Sequence, residues 1–166
     1  MITIRDAIEA DSVTLTAAEK LIAATPGFLI PRPHEYAEVD VRKKIEDLSR
    51  RTNGKYVVAE SDGKIIGHAL LDPMGLEAIA HITRLSIVVH PGYQAKGAGE
   101  ALLKHLITWA KTEPSVEKIE LNVRATNERA IRLYERLGFQ IEGRLKNRIK
   151  FPDGRYVDDV LMGLFL

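Results

Sequence analysis

The segment Leu85-Ser-Ile-Val-Val-His-Pro-Gly-Tyr-Gln-Ala-Lys-Gly-Ala-Gly99, which leads into Glu100–Lys111, constrains the fold more than any other part of this chain. The apolar, β-branched run Leu85–Val89 reads as a buried strand. Pro91-Gly92 ends it, because proline has no N–H for a ladder and glycine admits a turn. Gly97 and Gly99 then fall where a helix begins, with Leu102, Leu103, Leu106 and Ala110 on its inner face. Residues without a Cβ allow another molecule close to the main chain, and the first N–H groups of a helix have no partner inside it. With the positive end of the helix dipole, these donors suit a phosphate or pyrophosphate. Lys96 adds a cation at the edge.

The pattern selects among anions. A Walker loop needs Gly-Lys followed by Ser or Thr, whereas Lys96 precedes its glycine and no such hydroxyl follows. A dinucleotide fingerprint needs a third glycine where Leu102 stands. Gln94-x-x-Gly97-x-Gly99 instead resembles the acetyl-coenzyme A pyrophosphate loop of the GCN5-related N-acetyltransferase (GNAT) superfamily, Arg or Gln-x-x-Gly-x-Gly or Ala. The bland reading of the same residues is a strand–turn–helix joint that uses glycine for close packing.

A second pattern follows. Asn122-Val-Arg-Ala-Thr-Asn127-Glu-Arg-Ala130-Ile-Arg-Leu-Tyr134-Glu-Arg-Leu-Gly138-Phe139 reads as strand, cap, helix and stop. Asn127 is a good N-cap and Glu128 complements the dipole. Ala130, Leu133, Tyr134 and Leu137 share one face at i, i+3, i+4, i+7. Gly138 supplies the left-handed C-terminal position. The superfamily carries Asn-x-x-Ala-x-x-x-Tyr-x-x-x-Gly-Phe at this distance after its pyrophosphate loop. The resemblance extends from Ile2 to the C-terminus and is weakest before Lys55. The ending, Gly143-Arg144 to Met162, is similar to the branch holding ribosomal-protein N-terminal and spermidine acetyltransferases.

Size and composition are those of an ordinary globular protein. The 166 residues suit one domain, 1–166, and a net charge of +1 gives no general pull towards nucleic acid or an anionic membrane. Cysteine is absent, which excludes a disulfide framework and a thiolate-borne acyl intermediate. Met1–Arg5 lacks the charged and apolar regions of a signal peptide, and no apolar run approaches the ~20 residues that span a bilayer. A cytoplasmic location is expected, and no metal site.

The remaining elements are read from period and punctuation. A strand over Ile2–Ala7 precedes a helix over Val13–Ala24, capped by Asp11 or Ser12, with Leu15, Ala18, Leu21 and Ile22 inward. Pro26-Gly27 breaks it, and a proline-punctuated apolar stretch, Phe28–Tyr36, leads to a second helix from Ala37 or Val39 to Arg51. Lys55–Glu60 and Lys64–Leu71 form a hairpin about Ser61-Asp62-Gly63. A long strand runs over Ile79–Val89 and another over Lys118–Val123. Phe139–Lys150 and Arg155–Phe165 close the chain as a hairpin. The resemblance implies an α/β (mixed α+β) GNAT fold: one twisted mixed sheet of about seven strands flanked by about four helices. Its central strands Ile79–Val89 and Lys118–Val123 should be parallel and splay apart, leaving main-chain groups for the pantetheine arm.

The resemblance also implies roles. Main-chain groups of Ile87, Val88 and Val89 should bind pantetheine and aim an N–H at the developing oxyanion. The N–H groups of Gln94, Ala95, Lys96, Gly97, Ala98, Gly99 and Glu100 should hold the pyrophosphate. Many relatives have Arg at the Gln94 position, so Lys96 is expected to replace part of that charge, and the Glu100 carboxylate should point away. Asn127 is a helix cap and also a coenzyme contact. Tyr134 is either a core aromatic or the general acid for the departing thiolate, since a phenol of pKa ~10 is protonated at neutral pH. Thr83 stands where several relatives have the glutamate base, which leaves Glu77 and His81, of which His81 is the preferred base. The Phe28–Tyr36 stretch, the Asp72-Pro-Met-Gly75 turn and the closing hairpin should rim the acceptor cleft, with Arg32, His34, Glu35 and Tyr36 as candidate contacts, although a loop packed on the core explains them equally. The implied reaction moves an acetyl group from acetyl-coenzyme A directly to a primary amine of a small metabolite or a protein N-terminus. A non-catalytic acyl-coenzyme A sensor is the alternative, and a homodimer is left open.

Overall fold

The computed structural model describes residues 1–166. One seven-stranded sheet runs through it in the order β1-β2-β3-β4-β5-β7-β6, with β1 Thr3–Asp6, β2 Lys55–Ser61, β3 Lys64–Pro73, β4 Ile82–Val89, β5 Lys118–Arg124, β6 Gln140–Lys150 and β7 Tyr156–Phe165. The helices are α1 Ser12–Ala23, α2 Glu38–Ser49, α3 Ala98–Ala110 and α4 Glu128–Arg136. The first four strands form an antiparallel meander, and the terminal hairpin inserts β7 between β5 and β6.

Alternation along the strands divides the core between two faces. On one face Val57, Ala69, Leu71 and Leu85 meet Leu102, Leu103 and Leu106 of α3, and the same cluster continues to Tyr134 of α4 and Val160 and Met162 of β7. On the other, Tyr56 and Val58 meet Leu15 of α1 and Ile45 and Leu48 of α2. Gly67 permits the close fit of α3: a Cβ there would lie 3.0 Å from the Val88 carbonyl and 3.2 Å from Leu102.

The only parallel pairing lies between β4 and β5, and it is short. Ile82, Thr83 and Arg84 face Lys118, Ile119 and Glu120, and the ladder stops there. From Leu85 to Val89 the strand keeps its β3 partners but has none on the β5 side. The expected splay is therefore present.

Two expectations need correction. The long strand begins at Ile82 rather than Ile79, because Glu77–Ile79 coils into a short 3-10 turn and pairing with β3 starts only at Thr83↔Pro73. His81 thus precedes the strand, and its carbonyl accepts the Glu117 and Lys118 N–H groups at the paired end of the gap. Leu21, expected inward, is 66% exposed, because the last turn of α1 overhangs the splay instead of the sheet.

Candidate active site

The joint between β4 and α3 is shaped by its backbone. The Tyr93 N–H donates to the His90 carbonyl at 3.1 Å, and the Gly92 N–H donates to Gln94 Oε1 at 3.0 Å. The Gln94 side chain therefore braces the turn. Ala95 (φ 66) and Gly97 (φ 88) are both left-handed, a region that an alanine seldom adopts and that marks a locally constrained loop. Gly97 is the N-cap residue of α3, and its carbonyl accepts the first helical bond, from Ala101, at 3.0 Å. None of the backbone N–H groups from Gln94 to Glu100 donates to a protein group. Successive free donors in an alternating backbone form an anion-binding concavity, and the α3 dipole adds to it. A diphosphate fits this cradle.

A cavity of about 760 Å³ connects the cradle with the open part of the β4–β5 gap. Ile87, Val88 and Val89 form one wall, and Asn127, Ala130, Leu133 and Tyr134 form the facing wall. Gly99 joins the walls, since a Cβ there would touch Val89 at 3.4 Å and Leu133 at 4.0 Å. Leu21 and Ile22 of α1, with Thr25, Phe28 and Leu29 beyond it, complete the rim.

Tyr134 is placed by its helix. The Asn127 carboxamide oxygen accepts the Ala130 N–H at 3.3 Å and sets the start of α4. Two turns later the Tyr134 ring is 7% exposed and meets Phe139 edge-on at 5.7 Å. Burial pushes its hydroxyl up to about 12, while the charge of Arg124 pulls the other way. No protein group hydrogen-bonds to that hydroxyl. Arg124 is itself buried and paired with Asp159 of β7, across the register partners of the two strands. Tyr134 is thus both a core aromatic and part of the cavity wall.

The other expected residues divide between the cavity and its surroundings. Gln94, Ala95, Gly97, Ala98, Gly99 and Glu100 line it. Lys96 does not; its Nζ lies over the Tyr93 ring at 5.3 Å from the centroid. Glu100 lies on the wall rather than turned fully away, and is held by Lys104 at 2.7 Å, which with its hydrogen bond keeps the carboxyl below the usual carboxylate range. His81 is outside the lining, as are Arg32, His34 and Tyr36. Arg32 reaches the Lys150 carbonyl at 3.5 Å, and His34 sits in a short 3-10 turn over Pro33–Glu35. The half-buried Tyr36 hydroxyl is pushed upward by burial and by the nearby Glu19 and Glu35 carboxylates. No group of three or more His, Asp and Glu side chains is placed to hold a metal ion.

Sequence reasoning missed two contributions to the wall. The apolar rim comes from α1 and the segment after it, distant in sequence from both motifs. Phe28-Leu29 falls in the stretch expected at the acceptor cleft; the missed part is Leu21 and Ile22, which helical spacing assigned to the core. The second is a set of arginines on α4, Arg129, Arg132 and Arg136, spaced at i, i+3 and i+7. A third unforeseen feature lies behind the cradle. His68 Nδ1 is 3.0 Å from His90 Nε2, and His68 Nε2 is 3.2 Å from Glu19 Oε1, so α1 is tied beneath the sheet to the root of the loop.

The acetyltransferase (GNAT) family model matches residues 19–139, which include both the cradle and α4. The chain belongs to the GNAT family. It is an acetyl-coenzyme A-dependent N-acetyltransferase with the mixed GNAT sheet. It is 32% identical to the L-amino acid N-acetyltransferase AaaT of Escherichia coli over 70% of this chain and 72% of that one. The spermidine N(1)-acetyltransferase of Escherichia coli is 32% identical over 74% of this chain, but the match spans only 62% of that enzyme. The structure of yncA from Salmonella typhimurium, solved with acetyl-CoA, superimposes with a TM-score of 0.90 over 100% of this chain and 94% of that one, and at 24% identity it speaks for the fold. No helix of this GNAT protein is long and apolar enough to cross a membrane.

Proposed function

We propose that this chain acetylates the α-amino group of an apolar acceptor, either a free amino acid or a peptide N-terminus, inside the cytoplasm where the coenzyme is made. The observation that carries the reading is the single cavity that joins the unpaired edge of β4, the free N–H groups of Gln94–Glu100 and Tyr134.

Acetyl-coenzyme A supplies the acyl group and a thiolate leaving group. The N–H groups of Gln94–Glu100 hold its diphosphate, and the open edge of Leu85–Val89 pairs with its amide-bearing arm as an added strand. An N–H of that edge faces the negative charge that develops on the acyl oxygen. The Asn127 carboxamide, with its oxygen engaged as the cap, has its NH2 group free to donate to the arm. As the amine nitrogen bonds to the acyl carbon and the C–S bond breaks, the Tyr134 hydroxyl would give its proton to the sulfur, and the proton lost by the amine nitrogen would restore the phenol. The raised pKa of that hydroxyl keeps its proton in place at neutral pH, and the Arg124 charge stabilises the phenolate left behind.

The acceptor class follows from what the wall offers. Its charged residues are Arg129, Arg132 and Arg136, with Glu100 as the only acid, and no histidine is among them. A polyamine cation would find a single carboxylate there, and that one is already paired with Lys104. A base-poor wall also favours an amine that sheds its proton readily: the α-amine of a peptide N-terminus titrates near ~8 and an alkylamine near ~10. Leu21, Ile22, Phe28 and Leu29 give an apolar acceptor surface to bury against. The AaaT relative acts on amino acids by its name, and the spermidine relative on a polyamine.

Free-thiol release from acetyl-coenzyme A, followed across L-amino acids, short peptides and spermidine, tests this reading. Turnover with leucine, methionine or phenylalanine, or with peptides that begin with them, supports it. Spermidine as the preferred acceptor contradicts the assignment of acceptor. Tight coenzyme binding without any acceptor-dependent thiol release would make the protein a sensor instead.

A further inference from the structure

Arg129, Arg132 and Arg136 present one stripe of guanidinium groups on α4, and all three belong to the cavity wall. The stripe flanks the cradle. Leu133, on the same face, would be 4.0 Å from a Cβ on Gly99, and Arg136 Nη2 lies 3.9 Å from Glu100 in the first turn of α3. Arg136 is therefore balanced by an acid on the cradle itself. Arg132 has only Glu128, one turn back on the same exposed helix surface, at 3.2 Å. Arg129 is exposed and has no carboxylate within ion-pair distance. An uncompensated arginine next to a compensated one, both on the wall of an anion site, forms a positive surface beyond the reach of the cradle's own donors.

The cradle lacks cations of its own. Gln94 stands at the position where an arginine is common, its side chain braces Gly92, and Lys96 lies over Tyr93 outside the cavity. The backbone donors suit a diphosphate, but coenzyme A also carries a 3′-phosphomonoester of charge near −2, which needs side-chain partners. Arginine presents a planar fork matched to phosphate oxygens. Along α4, Arg129 and Arg132 are about 4.5 Å apart in rise, close enough to converge on one phosphate group.

We infer that Arg129 and Arg132 form the subsite for the 3′-phosphate of the coenzyme, so that α4 reads a different phosphate from the one α3 holds. The inference rests on the coenzyme reading above. It makes the protein selective for coenzyme A over its 3′-dephospho form, and it makes that selectivity, rather than binding as a whole, depend on α4.

The test is calorimetric titration of the full chain with coenzyme A and with 3′-dephospho-coenzyme A. Wild type should bind coenzyme A about 10-fold or more tightly than the dephospho form, as expected for a charge-assisted contact. The doubly substituted Arg129→Gln/Arg132→Gln protein should bind both ligands equally, at the affinity wild type shows for the dephospho form. Lys64→Ala, on the distant β2–β3 turn, removes a positive charge without touching the cavity and should keep the wild-type ratio. Equal affinity of wild type for both ligands overturns the inference, and so does a ratio that survives in the double variant. Binding of neither ligand by folded wild type would overturn the coenzyme reading itself, a result distinct from either of these.

Discussion

The two ends of the cavity are built on different principles. At the coenzyme end, donors come from the main chain of Gln94–Glu100 and from the open edge of β4, so the chemistry depends on backbone conformation. At the acceptor end, Leu21, Ile22, Phe28 and Leu29 contribute side-chain surface from α1 and the segment that follows, and the chemistry depends on shape and apolar area. A backbone site tolerates side-chain change but not a change of φ. A side-chain site behaves the other way. The first suits a cofactor common to many enzymes, and the second suits an acceptor that differs between them.

The largest effect should come from Gly97→Val. A β-branched residue at φ 88 is strained even though the space around it is open, so the loop must rearrange and several phosphate donors are lost together. Coenzyme affinity should fall by about two orders of magnitude or more in calorimetry, with the thermal midpoint changed far less. Unaltered affinity would mean that the coenzyme end does not depend on backbone shape. Next is Tyr134→Phe, which keeps the ring against Phe139 and removes the hydroxyl. Turnover should drop about 100-fold or more while the coenzyme dissociation constant stays within a factor of two, as measured by thiol release and titration together. Because the hydroxyl is pushed up to about 12, no loss of turnover assignable to its ionisation should appear below about pH 11.

At the acceptor end, Phe28→Ala should raise KM for an apolar acceptor about 10-fold and leave coenzyme affinity unchanged. A change in coenzyme affinity instead would merge the two ends into one site. A pH measurement sharpens the link between them. Burial and the neighbouring His68 push His90 down to about 4. The unfolded chain therefore binds a proton there between about pH 6.5 and pH 4 that the folded chain does not, and stability rises with pH across that window. Denaturant titrations at pH 7 and pH 4.5 should show up to about 3 kcal/mol more acid loss in wild type than in His90→Asn. Carboxylates common to both proteins cancel in that difference. The smallest effect should be Lys96→Ala, less than about threefold on coenzyme affinity, because its ammonium lies over Tyr93 and outside the cavity.

What was readable in the sequence follows the same division. Gly97 and Gly138 announce left-handed backbone, Gly99 a close approach and Asn127 a cap, so the strand–loop–helix joint and the capped α4 were legible with their cradle. The splay was expected through the family resemblance and is visible in the ladder that stops at Arg84↔Glu120. The α1 part of the rim was not legible, since apolarity at Leu21 looks the same whether it faces a core or a cavity, whereas Phe28 lies in the stretch that the resemblance placed at the acceptor cleft. His81 looked like a base because imidazole titrates near neutrality and it was expected on or near the long strand, yet the strand begins at Ile82 and leaves His81 at the closed end of the gap, where it fastens the start of β5. The wall position of the α4 arginines was not legible, because i, i+3, i+7 spacing looks the same on a helix face with or without an opposite wall.

The most direct test of the central claim is amide hydrogen exchange with and without coenzyme A, followed by residue or short peptide. Addition of coenzyme A should slow exchange at Gln94–Glu100 and at Leu85–Val89 together, because one molecule occupies both the cradle and the unpaired edge. Slowing confined to other segments, or no slowing at Gln94–Glu100 under saturating coenzyme, would contradict it.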